Sequence, residues 1–442
     1  MPSAEIAYLF RHALLRDAAY NLQLPSERTE LHWIAATCIE QVHGGRANAP
    51  ALSAIEVFDT PPDALDSHAA DIVSHMDAAL AGGKADPKQR ATTLLYLQRA
   101  ACHSDRMYRS ADAALQWRRA FELATGHLRL LCLLRSALST HRQGDPRQAE
   151  AQLREVLHAS RTGPDQRFVA IVLVKLMNTL REFGEPRESE ALGLEALAIT
   201  REREDQLQEA VALGSLAVLY SETGRVSDAE AAYLQSLRAF REINAPRYAA
   251  VALSSLASLY QLTGRLQHAM DAYIDALKLF REVGDRRLEG MTVGNLAILY
   301  HGQQRFEEAM GLYDEALTIH REVGNRRSEG ITLGNVAGMI REAGDPRRAA
   351  AIYEDALAIH RELGNRAFEG GHLGYYAICL LELGRPEEAR QAWTSASSLL
   401  RKRGDTVQLK RGYERIQEAC TRAGITPFEA APETAASESP SG

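Results

Sequence analysis

A period of 40 residues governs the chain from about residue 209 onward. Small residues recur at Ala217, Ala257, Ala297, Ala337 and Ala377. Twelve positions after each comes another alanine: Ala229, Ala269, Ala309, Ala349 and Ala389. Sixteen after comes an aromatic: Tyr233, Tyr273, Tyr313, Tyr353 and Trp393. Nineteen after comes a small residue again: Ser236, Ala276, Ala316, Ala356 and Ala396. A fixed period of this length marks a unit that cannot bury its own apolar surface and must stack on its neighbours.

Each unit reads as two helices. In 289–328, Val293, Leu296, Ala297 and Tyr300 share one helical face. Gly302 and the polar residues after it break that helix. Phe306, Ala309, Tyr313, Ala316, Leu317 and His320 then form a second stripe at the helical period. The spacing predicts an antiparallel hairpin with helices of roughly 15 residues. The alanines let the helix axes approach, and the tyrosine fills the adjoining hole.

The small/aromatic/alanine/aromatic/alanine pattern resembles the tetratricopeptide repeat over five consecutive units. The unit is longer than the usual one of about 34 residues. The repeated Glu289, Gly290, Gly294, Asn295 and Glu329, Gly330, Gly334, Asn335 are similar to the longer-helix variant of spindle-orientation scaffolds and bacterial signalling proteins. The resemblance implies an all-α fold, a right-handed α-solenoid of stacked helix-turn-helix repeats with an N-terminal helical cap. Weaker units upstream hold the phase through Ala101, Ala113, Trp117, Ala137, Ala149, Met177 and Ser189, with Gly193 where an aromatic is expected. About eight hairpins are thus expected over 89–408, a capping helix over 409–424 and a disordered Pro/Ala/Ser/Glu-rich tail over 425–442.

The joint between units is also repeated, as FREVGDRRLEG, HREVGNRRSEG and HRELGNRAFEG, starting at Phe280, His320 and His360. Three copies of a charged cluster raise the question of a site. His320 and His360, however, hold the slot of Phe240, Phe280 and Leu400, so they read as packing residues with a satisfied ring nitrogen. Gly284, Gly324 and Gly364 suit the left-handed residue that closes a helix. Asp285, Asn325 and Asn365 are placed to cap the next helix. Arg286, Arg326 and Arg366 are expected to pair with Glu289, Glu329 and Glu369 at an exposed joint, each pair contributing a few tenths of a kcal/mol.

The first ninety residues differ. Phe10, Arg11, His12, Ala19, Tyr20, Leu24, Pro25, Arg28, Leu31 and His32 resemble the helical region that follows the ATPase core of bacterial STAND-type signalling ATPases. The resemblance covers residues 7–40 within an N-terminal helical region, 1–42; the alternative is two amphipathic helices that cap the array. Residues 43–88 read as a linker with one short helix at 68–80. No G-x-x-x-x-G-K-[ST] loop, kinase signature set or G-x-S-x-G elbow occurs. The chain therefore resembles the sensor arm of such a protein without its motor, either a separated module or a piece of a larger protein.

Bulk properties exclude other classes. The net charge is −7 with no acidic or basic half, which argues against nucleic-acid binding. The five cysteines, Cys38, Cys102, Cys132, Cys379 and Cys420, are far apart and form no C-x-x-C cluster. That fits a reducing cytoplasm and neither a disulfide framework nor a metal. No apolar run is long enough to span a bilayer. The start lacks the layout of a signal peptide.

A stacked solenoid curves with its first helices inside. Those faces carry small and polar residues, so the candidate partner-binding groove is Ser215, Ser255, Ser258, Gly294, Asn295, His301, Gly334, Asn335, Arg341 and Tyr375. Small residues admit an extended backbone, and asparagines pair with its amides. The carboxylate-clamp version of the fold needs Lys and Asn on successive first helices, which this chain does not carry. The expected function is a non-catalytic scaffold or sensor arm in bacterial signalling that binds a protein or peptide, without cofactor, nucleic acid or membrane. A ligand-sensing fragment that controls an ATPase, kinase or cyclase is the alternative. A hydrolase would need a nucleophile beside a positioned base, and no such pair is legible.

Overall fold

The computed structural model describes residues 23–52, 61–80, 86–182, 184–402 and 406–428. Its helices are, in order, α1 (Pro25–Val42), α2 (Ala69–Leu80), α3 (Pro87–Arg106), α4 (Ser110–Leu123), α5 (Gly126–Gln143), α6 (Pro146–Arg161) and α7 (Gln166–Glu182). They continue as α8 (Pro186–Glu202), α9 (Gln206–Glu222), α10 (Val226–Glu242), α11 (Pro246–Leu262), α12 (Leu266–Val283) and α13 (Arg286–Gly302). The last are α14 (Phe306–Glu322), α15 (Arg326–Glu342), α16 (Pro346–Glu362), α17 (Arg366–Glu382), α18 (Pro386–Lys402) and α19 (Thr406–Arg422). The fold is all-α, and consecutive helices pack as pairs, as in a tetratricopeptide-type solenoid. Two compact units divide the chain, 1–172 and 173–442. Phe10, Arg11, His12, Ala19 and Tyr20 lie outside the described residues.

In the first unit, α1 packs on α2. The stretch read as a linker is strapped down by Arg99 of α3, which donates to the carbonyls of Asn48 at 2.8 Å and Pro61 at 3.1 Å. Arg99 also pairs with Asp63 and Asp66. A second buried carboxylate, Asp105, accepts from Trp117 Nε1 and Ser139 Oγ, both at 2.9 Å, and from Arg142. Sequence periodicity predicts neither anchor, because each joins residues far apart in the chain.

In the second unit the 40-residue anchors form the core. The alanines at 217, 257, 297, 337 and 377, and those at 229, 269, 309, 349 and 389, are all fully buried. So are Tyr273, Tyr313 and Tyr353, with Tyr233 and Trp393 nearly so. Without Cβ branching or bulk the alanines let α9–α18 interlock, and each aromatic fills the space they leave. At Gly193 the aromatic is missing because Met177 and Leu216 occupy its place; an added Cβ would come within 2.7 Å of both. The half-buried Tyr220, Tyr260 and Tyr300 are each covered by an arginine, Arg225, Arg265 and Arg305, at 4.1, 4.4 and 4.2 Å from the ring centre. At the end of the array Phe428 is buried against the core that α18 and α19 share, and its carbonyl accepts from Gln417 Nε2 at 3.2 Å. The packed chain thus extends three residues past the start expected for the tail; residues 429–442 lie outside the described ones.

The joints differ from expectation in two respects. Glu289, Glu329 and Glu369 are buried, not exposed. Each is held by two arginines: Glu329 by Arg321 at 2.8 Å and Arg326 at 2.6 Å, and Glu289 by Arg281 at 2.8 Å and Arg286 at 2.7 Å. Glu369 repeats this with Arg361 and Arg366. The second arginine of each clamp comes from the preceding helix, a partner that pairing within one helix does not reveal. Gly284, Gly324 and Gly364 take positive φ, as the turn requires. Asp285 and Asn325 accept from the backbone N–H of Leu288 and Ser328. Asn365 makes no such cap; its amide lies 3.5 Å from His360 Nδ1 instead.

Candidate partner-binding groove

Where neighbouring pairs of the second unit meet, the first helices touch directly: α9 with α11, α11 with α13, α13 with α15, and α15 with α17. Second helices do not approach one another as closely. Ser254 Oγ and Thr292 Oγ1, from successive first helices, lie 3.2 Å apart. The first helices therefore form the inner side of the stack.

Their free face follows the helical period. Positions 251, 255, 258 and 262 share one side of α11, and 291, 295, 298 and 302 the same side of α13. Val251 and Met291 are exposed there, at 41% and 39%. Four residues on from each, Ser255 and Asn295 are half-buried, as is Asn335 of α15. Val251 and Met291 carry the same 40-residue spacing in the sequence, although they are not among the small and polar residues expected to line the groove.

The expected groove residues fall into three groups. Gly294 and Gly334 are buried and do not line the groove. A Cβ on Gly334 would lie 2.0 Å from the His372 ring, so this glycine makes room for a histidine of the next pair. Gly294 faces Ala316 and Thr332. These two expectations are corrected: each glycine is offset by about 100° from the asparagine that follows it, which turns it into the stack.

A second group is already engaged. Ser215 Oγ lies 3.4 Å from the Asn178 amide. Ser258 Oγ lies 2.8 Å from the Tyr273 hydroxyl. Ser255 is hydrogen-bonded to Tyr233, whose hydroxyl burial pushes up to about 12. His301 Nε2 meets Glu342 Oε2 at 2.9 Å, and Arg341 donates to Glu382 at 3.1 Å. These two pairs link successive first helices at one end of the face. Tyr375 accepts from Arg415 of α19, whose guanidinium lies over its ring.

Asn295 and Asn335 form the third group. Neither amide has a hydrogen-bond partner among the described residues. In the register that bonds Tyr233 to Ser255, the residue matched with Tyr313 is Asn335. No bond joins them, and the buried Tyr313 hydroxyl has no partner among the described residues. Burial raises its pKa above the ordinary value. The buried hydroxyl is costly without a partner, whereas the two half-buried amides stay open to water or to another molecule.

Among the described residues, no group of three His, Cys, Asp or Glu side chains is placed to hold a metal ion. No helix there is long and apolar enough to cross a membrane.

Comparisons with known proteins bear on the fold. The family model described as the MalT-like TPR region matches residues 178–337, and a tetratricopeptide-repeat model matches 332–367. The model of anaphase-promoting complex subunit 5 matches 98–223. No curated protein matches the sequence. Among solved structures, the chain is similar to a Rap protein complexed with competence and sporulation factor, with a TM-score of 0.54 and 12% identity over 86% of this chain and 99% of that one. It is also similar to the Rap conjugation gene regulator of plasmid pLS20 in complex with the Phr* peptide, with a TM-score of 0.51 and 13% identity over 80% and 93%. A STAND protein with a tetratricopeptide-repeat sensor from Pyrococcus horikoshii gives 0.49 and 14% over 78% and 55%. At such identities the first two likenesses establish the fold.

Proposed function

This chain is a tetratricopeptide-repeat protein, and on that premise we propose that it is a non-catalytic interaction scaffold or sensor arm that binds an extended peptide or partner segment along its first helices. The observation that carries the reading is the pair Asn295 and Asn335. They stand 40 residues apart in successive units, are half-buried, and have amides that bond nothing among the described residues. An amide offers one donor group and one acceptor, the complement of a peptide unit. Val251 and Met291 beside them supply apolar contact. The two Rap structures of the same fold were solved with the competence and sporulation factor and with the Phr* peptide, which supports a peptide as the occupant. The N-terminal resemblance to STAND proteins supports the place of such an arm in bacterial signalling, in the cytoplasm.

The test is selection of peptides from a random display library on the immobilised full chain, followed by affinity measurement with Asn295→Ala/Asn335→Ala. An affinity loss of about 1–3 kcal/mol is expected if the variant strands a buried partner group, with little change in melting temperature. Peptides that bind the variant equally well would move the binding face elsewhere.

A further inference from the structure

We propose that the cleft between α17, α18 and α19 is a second site, which takes a carboxylate carried on an aromatic or other compact apolar body. It does not depend on the peptide reading of the inner face.

The cleft is about 240 Å³. An engineered apolar cavity of about 150 Å³ holds benzene, so a ring with a short acidic arm fits. Ile378, Trp393 and Leu400 form apolar wall, and Arg411 and Arg415 stand at the opening.

The last unit departs from the 40-residue pattern where it lines this space. The slot of Val251, Met291 and Ile331 holds Gly371, and the loss of that side chain opens the cleft. A Cβ there would meet only Gln408 Oε1, at 3.5 Å. The slot of Asn295 and Asn335 holds Tyr375, and the slot of four tyrosines holds Trp393. On α19, Gly412 lets the Trp393 ring approach to 3.1 Å of where its Cβ would be.

The charges are unbalanced. Along the array surface arginines are paired: Arg225 with Glu190 and Asp228, Arg265 with Glu230, Arg286 with Glu289 and Glu322. Arg411 has no partner among the described residues. Among the described residues Arg415 is engaged by Tyr375 alone, through a hydrogen bond to the hydroxyl and by lying 5.1 Å from the ring centre. Glu414 and Glu418, on the same helix, pair with neither. Two uncompensated guanidiniums beside an apolar pocket match a carboxylate on an apolar body, because Arg binds carboxylates through parallel N–H donors.

Titration calorimetry on the full chain, with 3-phenylpropionate and with a hexapeptide ending in phenylalanine as free acid, tests this. At least one acid should bind saturably, and its amide at least tenfold more weakly; the tighter acid identifies a free metabolite or a peptide end as the source. Arg411→Gln and Arg415→Gln should each weaken the acid several-fold. Gly371→Ile, which restores the side chain of the preceding unit, should block it with the melting temperature held. Asn295→Ala/Asn335→Ala should leave it unchanged, which separates failure here from failure of the peptide reading. No saturable binding of either acid, equal binding of acid and amide, or indifference to both the arginine changes and Gly371→Ile would overturn the proposal.

Discussion

His360 Nε2 and His372 Nδ1 meet at 3.0 Å inside the second unit, with both rings buried. One nitrogen donates and the other accepts, so the accepting ring is neutral. Burial, joined at His372 by the charge of His360, pushes the folded-state values to about 4 for His360 and about 3 for His372. His320 is likewise held at about 4 by burial.

The sign of the pH dependence follows. In the unfolded chain these rings titrate near 6.5, so below that pH the unfolded state binds more protons and stability falls. The contribution is complete above pH 6.5 and is lost progressively from about 6.5 down to about 4 for His320 and His360 and about 3 for His372. Chemical denaturation at stepped pH should show this slope, and His372→Gln should reduce it. An unchanged slope would mean that the rings are already protonated when folded.

Gly290 and His320 act as a pair. A Cβ on Gly290 would lie 3.0 Å from the His320 ring and 2.8 Å from Ile319. In the unit before, the same two slots hold Ala250 and Phe280. Gly290→Ala alone should cost about 1–3 kcal/mol by overpacking. His320→Phe alone should cost less than about 1.5 kcal/mol, since the Nδ1 it removes has no partner among the described residues. The double variant should cost less than the sum, because the residues touch. Strict additivity in a denaturation cycle would show that the two slots are independent.

Glu329 tests the joint. Burial alone would raise its pKa, but the bonds from Arg321 and Arg326 win and hold it below the ordinary carboxylate value. Its stabilising effect is therefore present above about 4.5 and lost as pH falls through the lower folded value. Glu329→Ala should cost about 1–3 kcal/mol, softened because both arginines remain half in water. A change under about 0.5 kcal/mol, the size expected of a surface pair, would mean that the clamp contributes no more than an exposed one.

The binding face can be separated from the opposite one. Leu234 and Ile274 form an exposed apolar row on α10 and α12, while Val251 and Met291 lie on the first helices. Val251→Glu and Met291→Glu should abolish binding of library-selected peptides, and Leu234→Glu should not. The reverse result would assign recognition to the second helices.

Helix placement and the core were legible in the sequence. Alanines and aromatics at fixed offsets within a 40-residue period leave one way to bury them, so Ala297 and Tyr313 had to face inward. The left-handed turn at Gly324 and the cap at Asn325 follow from short-range backbone geometry. Tertiary packing decided what fills each space beside a helix. Gly334 and Asn335 looked like one small polar pair, yet the His372 ring takes the space beside Gly334 and leaves the Asn335 amide unbonded at the surface. Glu329 looked like half of an exposed pair, yet Arg321 of the preceding helix closes over it. A linear pattern sets the angle of each side chain around its own helix. Which neighbour meets that angle, with what bulk and charge, arises only when the helices stack.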